Sequence, residues 1–194
     1  MNNKIKSLLM VIVMMICLAG VSSVLSADVT LAVPERFQEH SMWCWAGCSE
    51  AALEYYNQFP LQCEIANYAW NKTTCCGDYD FYSSVKGCNK SNFLYGNDGS
   101  IQGIMLNWGV DSVGMDVPLN WTDSVAELDN GHPFVMRWGW TQGGGHFLVG
   151  YGYVSNGSYL HYMDPWPGEG YTTSTFTYVV SADDHDWTHT LTTY

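Results

Sequence analysis

The sequence predicts an α+β fold, helices first and antiparallel strands second, and three observations predict it. Between Cys44 and Phe59 apolar residues recur at three- and four-residue steps, the period of one helix face. From Phe134 onward the chain turns to short runs rich in Val, Tyr, Trp and Thr, residues that fit a pleated, half-buried surface. Two of these runs flank Asn156-Gly157, a two-residue hairpin signal that makes them antiparallel neighbours. Helices and strands segregated along the chain mark an α+β domain.

In chain order, the first helix carries Trp45, Cys48, Ala52, Tyr55 and Phe59 on one side and Glu50, Glu54 and Asn57 on the other, with Cys44 in its first turn. Pro60 to Asn97 is cysteine-bearing and rich in Asn, Gly and Tyr; it predicts one short helix, Glu64 to Trp70, among disulfide-tied loops. After Asn97-Asp98-Gly99 come a helix from Ile101 to Trp108 and another from about Thr122 to Asp129, stopped by Asn130-Gly131. Strands are expected over Phe134–Trp140, His146–Val154, Tyr159–Met163 and Tyr171–Val180, and the remainder, with His185 and His189, reads as a polar tail. No repeat, low-complexity tract or linker divides the chain, so residues 28–194 read as a single domain.

Residues 1–27 read as an export signal: Lys4 and Lys6 precede an apolar run from Leu8 to Gly20, and the small residues Ser26 and Ala27 precede Asp28. That run is too short to span a bilayer, so no stable membrane insertion is expected after cleavage. Lipidation at Cys17 is a weaker alternative, because no small residue stands just before it. Beyond residue 27, five basic side chains face nineteen acidic ones, a formal charge of −14, which argues against nucleic acid and anionic lipid partners. Six cysteines remain there, and in an oxidising compartment such density reads as disulfides. Their spacing does not form paired zinc-ligand units, so no metal is expected. If Cys44 stays free for chemistry, Cys48, Cys63, Cys75, Cys76 and Cys88 allow two disulfides and one spare thiol, in a pairing the sequence leaves open. Sequons at Asn71, Asn89, Asn120 and Asn156 permit glycosylation in a eukaryotic host.

Cys44 stands where the start of a helix offers positive potential to a thiolate, and a histidine across a cleft would complete its activation. Among the candidates His40, His132, His146, His161, His185 and His189, His146 has the apt setting. It follows Gly143-Gly144-Gly145 and opens an apolar strand, so its ring can project beside backbone that a substrate approaches closely. His40, near Cys44 in sequence, is the second choice; His132 reads as a turn residue and His161 as a packed sheet residue. Asp164 lies 18 residues after His146 across the Asn-Gly hairpin, close enough on an adjacent strand to accept the second imidazole N–H. Cys48, one turn beyond Cys44, reads as a core thiol or disulfide half, and Trp138, Trp140, Tyr151 and Tyr153 as sheet core.

These pieces resemble the papain-like cysteine peptidases. Gln38-Glu-His-Ser-Met-Trp-Cys44-Trp45-Ala46 is similar to that family's nucleophile pattern, Gly-Gly-Gly-His146-Phe-Leu-Val-Gly-Tyr-Gly-Tyr to its histidine strand, and Asp164-Pro165-Trp166 to its third catalytic position. The resemblance covers about Pro34 to Gly170 and implies a papain-like fold, in which the Cys44 helix packs on the C-terminal sheet. It also implies a site of Cys44, His146 and Asp164, with the Gln38 side chain and the Cys44 backbone N–H as oxyanion donors. Trp43 stands where the family usually has a small residue, aspartate where asparagine is usual, and the cysteine-to-histidine interval is short. These departures resemble a compact bacterial-type branch, similar to papain-like effector peptidases and leader-peptidase-like families. Only about ten residues separate the expected cleavage point from Gln38, too few for a folded inhibitory propeptide. The implied function is a secreted, monomeric peptidase acting on protein or peptide substrates through a thioester, with no cofactor. A cell-wall amidase, an acyl transferase using the same triad, or a non-catalytic binding module on this scaffold are the alternatives.

Overall fold

The structure is a computed structural model that describes residues 28–194, so the expected export signal and Cys17 lie outside the described residues. Its strands are β1 (Val29–Thr30), β2 (Ser112–Met115), β3 (Phe134–Trp140), β4 (Gly145–Val154), β5 (Tyr159–Asp164), β6 (Gly170–Thr175) and β7 (His185–Thr193). They form one seven-stranded antiparallel sheet in the order β2-β7-β3-β4-β5-β6, with β1 also pairing on β4. The helices are α1 (Cys44–Tyr55), α2 (Gln62–Trp70), α3 (Ile101–Asn107), α4 (Trp121–Asp129) and α5 (Phe176–Val180). A mixed helical and antiparallel-sheet architecture is therefore the observed class, as the residue pattern predicts.

Alternation along the strands builds two cores, one on each face of the sheet. Val135, Phe147, Val149, Tyr151, Met163 and Leu191 pack with residues of α1, α2 and α3 on one face. Phe134, Met136, Trp138, Leu148, Leu160, Tyr162 and Trp187 meet Leu128 of α4 and Val179 of α5 on the other. The alternation breaks in β4, where Tyr151 belongs to the first core and Tyr153 to the second. A register shift between Gly150 and Gly152 inserts the residue that changes the parity.

Four expectations are corrected. The first helix stops at Tyr55, not Phe59, because Asn57 turns into the left-handed region at φ 60°. The hairpin between β4 and β5 has a four-residue turn, residues 155–158, with Gly157 and Ser158 both at positive φ, rather than a two-residue one. Residues 171–180 divide into β6 and α5, which Thr175 caps through its side chain. The supposed polar tail is β7, an inner strand between β2 and β3.

Two disulfides, Cys63–Cys76 and Cys75–Cys88, cross-link the loop-rich third, leaving Cys44 and Cys48 free. The Cys88 carbonyl accepts the indole N–H of both Trp43 and Trp70 at 3.0 Å, so this loop holds two core tryptophans. Trp43 is fully buried there, which accounts for a large residue just before Cys44. Removing the Cys75–Cys88 link by double serine substitution is expected to cost on the order of 3 kcal/mol, for cysteines 13 residues apart. A urea unfolding midpoint that does not move would contradict this.

Candidate active site

Cys44 is the first residue of α1, and that turn has no side-chain cap and no acidic residue to offset its exposed N–H groups. The positive end of the helix dipole therefore acts on the sulfur. The helix can reach the sheet here because Gly47 lacks a side chain: a Cβ would lie 3.0 Å from Pro165 Cβ. The backbone N–H of Gln38 donates to the Pro165 carbonyl at 2.7 Å. The Gln38 segment, the start of α1 and the Asp164-Pro165 turn are thus one packed unit.

His146 enters from β4, the strand between those that carry Trp138 and Asp164. Its Nε2 is 2.6 Å from Asp164 Oδ1, with both side chains largely buried. Cys44 is the other side chain that acts on the ring, and with Nε2 engaged by Asp164 it is Nδ1 that is left for the sulfur. Burial alone favours the neutral ring, but the hydrogen bonds to Asp164 and Cys44 and their charges outweigh it and push the His146 pKa up to about 10. Asp164 is held in turn by the Trp166 backbone N–H at 2.8 Å; the Trp166 indole packs edge-on against Phe81 and stays 40% exposed.

Gln38 is 3% exposed and donates from Nε2 to the His40 carbonyl at 2.8 Å. That bond fixes the amide and leaves a second Nε2 hydrogen. Gln38 Oε1 is buried without a partner among the described residues. Gln38, Cys44, His146 and Asp164 all line one cavity of about 870 Å³. The four sequence-predicted residues therefore converge.

The other histidines have separate engagements. His40 is buried edge-on to Trp43 and its Nδ1 meets the Asp80 carbonyl. His132 pairs with Glu127, and His161 bonds Thr173 while stacking on Tyr151. His185, read from sequence as a tail residue, is fully buried and stacked on Trp138 at 3.7 Å between centroids. Cys48 is a buried thiol whose pKa is raised by desolvation and by the neighbouring Cys44 and Asp164 charges, which makes it a poor nucleophile.

Two tryptophans expected only in the core belong to the site. Trp138, though buried, lies opposite His146 in the β3–β4 register, and both Trp138 and Trp140 line the cavity. Trp140 stacks on the His146 ring at 6.1 Å. The signal is the short glycine-rich turn from Trp140 to Gly145, which folds the two rings together. The opposite wall, Ser91 to Tyr95, had no legible signal.

Residues 30–190 match the Peptidase_C39 like family. The chain belongs to that family. It is a cysteine-type peptidase with a papain-like fold, as the sequence resemblance implies. None of the curated proteins matches the chain in sequence. Solved structures of this C39-like class share its fold at low identity. A putative C39-like peptidase from Bacillus anthracis aligns with TM-score 0.58 and 13% identity over 86% of this chain and 97% of its own. The peptidase domain of Streptococcus ComA, a bi-functional ABC transporter, aligns with TM-score 0.53 and 12% identity, covering 84% and 96%. A double glycine motif protease from an AMS/PCAT transporter, in complex with the leader peptide, aligns with TM-score 0.50 and 16% identity, covering 86% and 96%.

Proposed function

We propose that this C39-like protein hydrolyses peptide bonds through a thioester on Cys44. The observation that carries the proposal is the placement of His146, bonded by Nε2 to Asp164 in the same cavity as Cys44, a free thiol at a helix start. Cys44 gives its proton to His146, and the thiolate attacks the substrate carbonyl. The oxyanion is met by the spare Gln38 Nε2–H and by the Cys44 backbone N–H, which as the first of the helix has no intrahelical acceptor. His146 then protonates the leaving amine, and a water that it deprotonates cleaves the thioester. Asp164 keeps the proton-bearing Nε2 turned away from the sulfur.

A peptide substrate is supported by the cleft of about 870 Å³ around Cys44 and by the relative determined with a leader peptide. Export is supported by the apolar leader of residues 1–27 and by two disulfides, and a monomer by a site drawn from one chain. Incubation with an electrophilic peptide probe is expected to label Cys44 stoichiometrically and leave Cys48 untouched, read by mass spectrometry. A silent Cys44 in folded protein overturns the proposal. Gln38→Ala is expected to keep the fold and lower kcat by roughly a hundred- to a thousandfold, the usual cost of one oxyanion donor. An unchanged kcat removes Gln38 from the mechanism.

A further inference from the structure

We propose that Arg137 is a specificity residue that receives a carboxylate of the substrate beside the reacting centre; this rests on the peptidase reading above. Arg137 sits on β3 and lines the same cavity as Cys44 and His146. Its guanidinium is held by two hydrogen bonds, Nη1 to Thr188 Oγ1 at 2.9 Å and Nη2 to the Gly144 carbonyl at 2.8 Å. Two glycines clear its seat: a Cβ at Gly145 would lie 2.6 Å from Nη2, and one at Gly139 would lie 3.1 Å from Nη1. No acidic side chain among the described residues comes within ion-pair distance of it, whereas Arg36 is paired with Glu50 and Glu54. On a chain with nineteen acidic residues beyond its leader, a seated cation in the cleft without an anionic partner is a directed feature. A guanidinium with unused N–H groups in a fixed plane suits a carboxylate.

Its place in the sheet says which part of the substrate it meets. Arg137 lies opposite Phe147, the residue after His146, one strand spacing of about 5 Å away. A peptide whose carbonyl is at Cys44 carries the contacted residue within about three positions of the scissile bond, at roughly 3.5 Å per residue. His189, the cross-strand neighbour of Arg137 on β7, also lines the cavity, and Asp116 faces it at 3.5 Å without reaching Arg137. The other charged wall residue outside the triad, Glu169, follows β5 on the far side of β4. The cleft is thus positive on the β3 flank and negative on the β5 flank, which also sets the direction of a peptide with an acidic residue at one end.

The test uses a panel of otherwise identical peptides with Glu, Gln or Lys at each of the three positions on either side of the expected scissile bond, plus pairs ending in free carboxylate or amide. Affinity is read by fluorescence anisotropy on Cys44→Ala protein, so the subsite is tested whether or not hydrolysis occurs, and cleavage on the unmodified protein judges the peptidase reading separately. At one position Glu is expected to bind about ten- to a hundredfold more tightly than Gln, the range of a charge-assisted hydrogen bond. In R137Q that ratio falls to about one, and in R137E it inverts in favour of Lys at the same position. A preference for the free terminus with indifference to side chains supports the same subsite with a terminal carboxylate as its occupant. Equal affinity for Glu, Gln and both termini overturns the proposal, as does a Glu preference that survives R137Q and R137E and marks Arg137 as a mere pin for the Gly144 loop.

Discussion

Replacing His146 with alanine is expected to lower kcat/KM for a peptide by about 10⁴- to 10⁶-fold, since members of such a unit lose most of the rate when removed singly. The imidazole is bonded to Asp164 in the cavity that Cys44 lines, so its loss leaves no acceptor for the thiol proton and no donor for the leaving amine among the described residues there. The fold is expected to persist, because the ring lies at a strand start and its neighbours Trp138 and Trp140 keep their packing against His185 and each other. Stopped assays with a fluorogenic peptide, alongside a thermal midpoint, separate the two effects. A residual rate within about tenfold of the parent would remove His146 from the chemistry.

Asp164→Ala is expected to cut kcat by on the order of a hundred- to ten-thousandfold, the scale seen when the orienting carboxylate of a triad is altered. It is also expected to move the alkaline limit of activity. With Asp164 present the imidazolium survives until the pH passes about 10, because the carboxylate and Cys44 together overcome the desolvation of the ring. Without Asp164 desolvation prevails and the ring becomes neutral at lower pH, so the limb in kcat/KM shifts downward. The same linkage acts on stability. A histidine whose folded pKa lies above its unfolded value of about 6.5 contributes fully below that value and loses the contribution as the pH rises through about 10. Asp164→Ala flattens that loss. A pH–rate profile whose alkaline limb is the same with and without Asp164 would contradict the assignment.

The site was the most legible part of this sequence because its chemistry needs particular residue types at element boundaries. Cys44 opens a helix, His146 a strand, and Asp164 closes one, and each boundary carries its own signal in glycine, proline or tryptophan. β7 was illegible for the opposite reason. Its polarity comes from threonines and histidines whose side chains are satisfied inside: Thr190 donates to the Val117 carbonyl, Thr193 to that of Pro133, and His185 meets the Tyr178 carbonyl. Composition reads such a run as solvated, since nothing local announces the distant carbonyls. The same limit hid β2, where only four residues pair, and the Ser91–Tyr95 wall, where the Phe93 and Leu94 carbonyls accept from the N–H groups of Ile101 and Gln102. α5 reads as strand in the sequence because Val179 and Val180 suit either state and only the Thr175 cap decides between them.

The position of β7 between β2 and β3 also bears on how the sheet is assembled. Residues 185–193 follow both neighbours in the chain, yet they are the bridge without which β2 has no strand partner and β3 is left as an open edge. Until that stretch docks, the strand that presents Arg137 and Trp138 lacks one neighbour, and the groove lacks His189 from its wall. Completion of the groove is therefore coupled to a pairing between residues 134–140 and 185–193, segments far apart in sequence.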